Sequence, residues 1–206
     1  MEANNELALY IALDRSGSMS SRWEQAIETI NEYVNGLKKE KIEGKVTVVA
    51  FDTNSENKTD LVTMIENKSI AYFDPINHLG EVQPRGTTPL YDAAANVMDR
   101  ALKNGAKRTV IAIMTDGHEN ASREYDQAAV KKKVETMTSL GYEVLFLGAN
   151  FDVSSYTQSA GLSMQKMRNV DLNNVNARMM MYKDLSSTTT AYVKTGSAIN
   201  ISQDGK

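Results

Sequence analysis

The chain has 206 residues and a formal net charge of −3, with acidic and basic residues interspersed. Apolar residues make up 41% and charged residues 24%, ordinary values for a soluble globular protein that argue against wholesale disorder. There is no cysteine, which excludes disulfides, thiolate metal sites and cysteine nucleophiles together.

The N-terminal sequence MEANNELALYIALD begins acidic, and its apolar run is too short for a secretion signal. No window approaches the roughly 18 apolar residues of a membrane span. The expectation is a cytoplasmic protein with no membrane partner. The one basic run, Lys131 to Lys133, sits in a helical pattern and reads as a solvated helix face, not a nucleic-acid patch.

Short apolar runs alternate with helical periods. ELALYIAL (6–13) reads as a buried strand ending at Asp14. The segment 21–41 is helical, with Trp23, Ala26, Ile27, Ile30, Tyr33, Val34 and Leu37 on its apolar face. GKVTVVAFD (44–52) is a second strand, and 60–70 alternates as a half-exposed edge strand should. The link between them is too short for a helix, so the two should form an antiparallel hairpin.

Residues 74–88 are irregular. A helix then opens at Pro89, with Thr88 placed to cap it and Gly105 to stop it. RTVIAIMTDG (108–117) is a third buried strand, 122–141 a helix, and YEVLFLGAN (142–150) a fourth buried strand. A short helix (152–161), a short strand (166–171) and a long helix (173–194) follow, with 202–206 expected to fray. This order predicts one α/β domain over 1–206: a doubly wound, mostly parallel sheet with one antiparallel edge strand and helices on both faces. Residues 171–206 would be a C-terminal helix and tail packed on it.

Ligands of open α/β sheets bind beyond the carboxyl ends of the strands. Three polar segments fall there: DRSGS after the first strand, RGTTPLYD before the middle helix, and MTDGHEN after the third buried strand. Asp14, Ser16, Ser18, Thr88 and Asp116 offer carboxylates and hydroxyls alone. Such hard oxygen donors suit Mg²⁺, or Mn²⁺ and Ca²⁺, far better than zinc or copper. Alternation at i, i+2, i+4 projects three side chains to one side, with Gly17 giving the backbone room to turn. Each segment alone is also a routine turn or cap. Their joint placement on one sheet edge is what singles them out.

DRSGSM resembles the D-x-S-x-S motif of von Willebrand factor type A domains, where it forms a metal-ion-dependent adhesion site. GTTPLYDA resembles that family's threonine loop, and VIAIMTDGHEN its strand ending in T-D-G. The likeness covers roughly residues 5–170, with all three motifs in the family's order. It implies a Rossmann-like sheet with one Mg²⁺ at its top. Ser16 and Ser18 would bind the ion directly, and Asp14 and Asp116 directly or through water. Thr88 is the matching threonine by its spacing to Ala93, with Thr87 the alternative.

TDGHENAS resembles the bacterial and phage-like branch of the family more than the adhesion-receptor branch. Relatives there work in stress-resistance operons and with AAA+ ATPases. The implied function is non-enzymatic: a partner protein supplies an Asp or Glu to the metal. A Mg²⁺-dependent phosphatase or nucleotide hydrolase is the alternative from another class. Against it stand the lack of a G-x-x-x-x-G-K-[ST] loop and the Ser16 where an aspartyl phosphatase needs its acid. A scaffold with a vestigial site is the third reading.

Among other polar residues, Asp52 reads as a turn residue and His118 as a surface histidine. Arg85 could attract an acidic ligand. Glu119, Asn120 and Ser122 are either supports of the site or a solvated loop. Met179 to Met181 read as core or as an oligomer contact.

Overall fold

A computed structural model describes residues 6–77, 80 and 82–201. The expected fraying at 202–206, and His78, lie outside the described residues. Six strands form one sheet: β1 (Leu7–Asp14), β2 (Gly44–Thr53), β3 (Thr59–Ser69), β4 (Arg108–Thr115), β5 (Glu143–Ala149) and β6 (Met167–Val170). The helices are α1 (Trp23–Lys39), α2 (Leu90–Asn104), α3 (Gln127–Ser139), α4 (Ser154–Ser159) and α5 (Val175–Thr195). The strand order is β3-β2-β1-β4-β5-β6, parallel except for the antiparallel β2–β3 pair at one edge. The predicted architecture is therefore the observed one.

Strand periodicity divides the core. Leu7, Leu9, Ile11 and Leu13 of β1 pack with Ile27, Ile30 and Val34 of α1 and Leu185 of α5 on one face. Ala8, Tyr10 and Ala12 pack with Ala94, Val97 and Met98 of α2 and Val130 of α3 on the other. Each large aliphatic side chain buried this way contributes roughly 1.5–3 kcal/mol. Because both faces are covered, β1 and β4 read as continuous apolar runs without alternation, as they do in the sequence.

The chain leaves β1 for β2 on one side and returns to β4 on the other. β1 and β4 are neighbours, and the crevice beyond their carboxyl ends is the topological switch point of the sheet. Asp14 is the last residue of β1 and Asp116 follows β4 directly.

Several boundaries differ from expectation for local reasons. A 3-10 turn at Gly17–Ser21 intervenes before α1, so Ser18 sits in a turn and not on an extended i, i+2, i+4 line. Pro89, which has no capping side chain, occupies the N-cap position of α2, so Thr88 is not the cap. Gly105 does end α2, with φ of 67°. α3 starts late, at Gln127, capped by Asp126, whose side chain accepts from Ala129 N. The backbone N–H groups of Arg123, Glu124 and Tyr125 donate to Asp92 at 2.9–3.0 Å, which holds this segment against α2.

α5 packs back along α1 as expected. Buried Tyr33 and Thr189 join the two helices through a 2.7 Å hydroxyl–hydroxyl bond. The three methionines divide: Met181 is buried, whereas Met179 and Met180 are exposed. Tyr33→Phe should lower stability by about 1 kcal/mol by taking the Thr189 hydroxyl's partner away. Urea denaturation measures this, and an unchanged midpoint and slope would show that the bond contributes nothing.

Candidate metal centre

Asp14 falls on the same sheet face as Ala12, and Thr115 on the face of Ile113, one strand away. Their side chains therefore meet. Asp14 Oδ2 accepts from the Thr115 hydroxyl at 2.6 Å, and Asp14 Oδ1 accepts from Ser16 N at 2.7 Å. Asp14 is 0% exposed, and no basic side chain among the described residues pairs with it. Burial pushes its carboxyl up to about 6, against the lowering effect of the Thr115 and Ser16 hydrogen bonds.

From Asp14 the polar chain continues. The Ser16 and Ser18 hydroxyls lie 3.0 Å apart, and Ser18 Oγ donates to Asp116 Oδ1 at 2.6 Å. Asp116 Oδ2 accepts from Arg22 Nη1. A methyl group placed on Gly117 would lie 3.5 Å from Thr88 Oγ1 and 3.8 Å from Ser18 Oγ, so those two hydroxyls flank one small space. Thr87 faces elsewhere: its hydroxyl meets that of Thr53 at 2.9 Å, and its N–H donates to Thr53 Oγ1 at 3.0 Å. The structure thus brings Asp14, Ser16, Ser18 and Asp116 together, with the Thr88 hydroxyl close by across Gly117.

The set fits a hard divalent cation. It offers two carboxylates and three hydroxyls, all oxygen, and a buried carboxylate without a positive partner. No group of three or more His, Cys, Asp and Glu that could hold a metal ion is found among the described residues, so any ion here would depend on the hydroxyls as well.

The loops around these donors are tied to each other. Asn120 brackets Thr88: its Oδ1 accepts from Thr88 N at 2.9 Å and its own N–H donates to Thr88 O at 3.2 Å. Glu119 Oε2 accepts from Tyr91 N at 3.0 Å, and Ser122 Oγ accepts from Tyr91 N and Asp92 N at 3.0 and 3.1 Å. Glu119 and Ser122 thus do the capping of α2 that Thr88 does not. Asp92 answers by holding the 123–125 backbone and the Thr59 hydroxyl.

Asp52 is not a turn residue. It ends up fully buried in β2, accepting from Arg15 Nη2 at 2.7 Å and Arg85 Nε at 2.9 Å. Asp60 of β3 completes the cluster, 3.1 Å from Arg15 Nη2 and also paired with Arg85. Arg85 is thus committed to internal partners, although its side chain is 54% exposed. Arg85 N donates to Arg15 O at 2.8 Å and Gly17 N to Gly86 O at 3.2 Å, stitching the first loop to the threonine loop. Gly86 has φ of 64°, and a methyl group there would come within 2.4 Å of Thr53 O. His118 is exposed, as expected, and stacks edge-on against Phe151 with centroids 4.7 Å apart.

Thr115, Arg15 and Arg22 were not singled out in the sequence and Asp52 was read as a turn residue, whereas Asn120, Glu119 and Ser122 take the supporting role that was one of their two readings. A hydroxyl one residue before Asp116 and a basic residue inside the D-x-S-x-S segment were the available signals.

The chain belongs to the von Willebrand factor type A domain family, whose model matches residues 8–198. No curated protein matches it. Solved structures share the fold at low identity. The PilB minor pilin from Streptococcus sanguinis is 14% identical with a TM-score of 0.71, over 96% of this chain and 64% of that one. Proximal thread matrix protein 1 from the mussel byssus, with a zinc occupied MIDAS motif, is 12% identical with a TM-score of 0.61, over 91% and 46%. Manganese-loaded TRAP protein from Plasmodium vivax is 17% identical with a TM-score of 0.58, over 87% and 74%. The chain spans between about half and two thirds of the mussel and PilB proteins it matches.

Two predictions follow from this geometry. Without a divalent cation, ionising buried Asp14 opposes folding. Its folded carboxyl titrates above the ordinary carboxylate value of 3.8, so stability falls as pH rises from about 4 through about 6. The cost at neutral pH is on the order of 3 kcal/mol. Asn at 14 is neutral and can donate to Thr115 Oγ1, which in turn donates to Gly117 O 3.2 Å away. In chelator, Asp14→Asn should therefore be the more stable protein at pH 7, with the gap closing towards pH 4. Urea titrations across that range would refute this if the variant were the less stable one at pH 7.

Asn120→Ala removes the side-chain acceptor for Thr88 N. It should cost about 1–2 kcal/mol and raise amide exchange at Thr88 and Tyr91 while β1 exchange is unchanged. Uniform exchange changes across the sheet would contradict a local role.

Proposed function

We propose that this domain is a non-enzymatic, Mg²⁺-dependent protein-binding module. The ion would be held by Asp14, Ser16, Ser18, Thr88 and Asp116 and completed by an Asp or Glu of a partner protein. The observation that carries the reading is the convergence of two carboxylates and three hydroxyls at the switch point, with one carboxylate fully buried and without a basic partner among the described residues. Mg²⁺ prefers octahedral oxygen coordination and keeps waters that an incoming carboxylate can replace. Thr88 is the better candidate than Thr87, because Thr87 is turned to Thr53. Mn²⁺ and Ca²⁺ suit the same donors.

The metal-bearing neighbours, one with zinc and one with manganese, support a divalent cation in this fold. A pilus adhesin from Lactobacillus rhamnosus GG among the neighbours fits a binding role over an enzymatic one. The cysteine-free composition fits a cytoplasmic setting, and no helix among the described residues is long and apolar enough to cross a membrane. The sequence TDGHENAS supports the bacterial and phage-like branch. Partners of the kind found there, AAA+ ATPases or stress-response complexes, are the first to test.

The ion supplies a Lewis-acidic position for a carboxylate. The protein's own residues fix where that position lies. Thr115 orients Asp14, Ser18 orients Asp116, and Asn120 holds the Thr88 backbone.

Pull-down from the native cell in Mg²⁺ and in EDTA tests the reading, with Asp14→Ala as control. A partner should be retained by the wild type in Mg²⁺ alone and by the variant in neither. Equal retention in all four arms would sink the proposal. A cheap screen for Mg²⁺-dependent phosphatase and ATPase activity separates the enzymatic alternative, and turnover abolished by Asp14→Ala would favour it instead.

A further inference from the structure

Arg22 lies outside the five donors but reaches in among them. It ends the 3-10 turn and immediately precedes α1, with its backbone N–H donating to Met19 O at 3.0 Å. Its Nη1 donates to Asp116 Oδ2 and, at 3.3 Å, to Ser18 O. The Asp116 side chain is 0% exposed and that of Arg22 is 22% exposed, so the pair is largely withdrawn from water. Asp116 Oδ1 is taken by the Ser18 hydroxyl at 2.6 Å. Both oxygens of the carboxylate are therefore engaged.

These two engagements differ in what they allow. A hydroxyl can turn its proton away and offer a lone pair to a cation. A guanidinium has no lone pair to offer, and its charge repels a cation at the same oxygen. We propose that Arg22 competes with the divalent cation for Asp116, so that this one residue sets both the metal affinity and the charge of the site. The inference rests on the reading that the five donors hold a metal.

With the cation in place, Asp14 and Asp116 neutralise it, and Arg22 leaves the site net positive. An incoming carboxylate then meets two attractive charges, the ion and the guanidinium. The ligand class this favours is an anionic side chain over a neutral one.

Mn²⁺ binding to the full chain, followed by calorimetry and by the electron-spin resonance of the free ion, tests the competition. Arg22→Gln removes the charge, and Arg22→Met removes it while keeping much of the packed aliphatic stem. Circular dichroism and urea denaturation establish that each variant is folded. Both variants should bind Mn²⁺ on the order of tenfold more tightly than the wild type, the worth of one charge-assisted hydrogen bond. Unchanged or weaker affinity in the folded variants overturns the role given to Arg22 while leaving the metal site standing. Absence of Mn²⁺ binding in the wild type and both variants overturns the metal reading, and this inference with it.

Discussion

The hydrogen bonds that fix Asp14 at the end of β1 are the constraint on which the site depends. A carboxylate at a strand terminus would ordinarily turn to solvent. Here Ser16 N and the Thr115 hydroxyl hold both of its oxygens, and the surrounding sheet removes it from water entirely. Withdrawing a carboxylate from water without a cation is unfavourable, and hydrogen bonds offset only part of the cost. The fold accepts a local instability at the one place where strand order reverses. That pattern is expected of a functional site and not of a structural one.

The remainder of the upper edge is built to keep the other oxygens in register with this one. Three loops meet there, and each is tied to the next by side chains bonding to backbone. Asn120 holds Thr88, Glu119 and Ser122 cap α2, and Asp92 in the first turn of α2 holds the loop that Ser122 comes from. On the opposite side the Arg15–Asp52–Asp60–Arg85 cluster fixes the first loop to the β2–β3 hairpin. Within the cluster the Arg15–Asp52 pair is buried, and buried ion pairs add little net stability. Removing one partner, however, strands the other charge in the interior. Their value here would lie in geometry, since a site of the proposed kind tolerates little displacement of its donors.

Much of this was legible in the sequence. The apolar runs of β1, β4 and β5 announced strands buried on both faces, and the short polar link before β3 announced the hairpin. Five oxygen-bearing residues near strand ends announced the polar cluster at the switch point. What the sequence did not disclose were interactions between segments far apart in the chain. Asp52 looks like any aspartate before a Thr-Asn turn until Arg15 and Arg85 are seen to enclose it. Thr88 looks like a helix cap because Pro89 follows it. The cap is in fact supplied by Glu119 and Ser122, some thirty residues on, which leaves the Thr88 hydroxyl beside Gly117 and Ser18. Similarly, α3 starts later than its apolar period suggests, at Gln127, because Asp126 caps it there while the 123–125 backbone is held against Asp92.

The account stands or falls on whether these donors bind one divalent ion together. Anomalous diffraction from crystals of the protein grown with Mn²⁺ addresses that directly. The account predicts one strong peak at the switch point, within coordination reach of Ser16, Ser18 and Thr88, with Asp14 and Asp116 bound to it directly or through a water. A well-ordered protein with no peak there, or with its Mn²⁺ bound at another part of the surface, would contradict it.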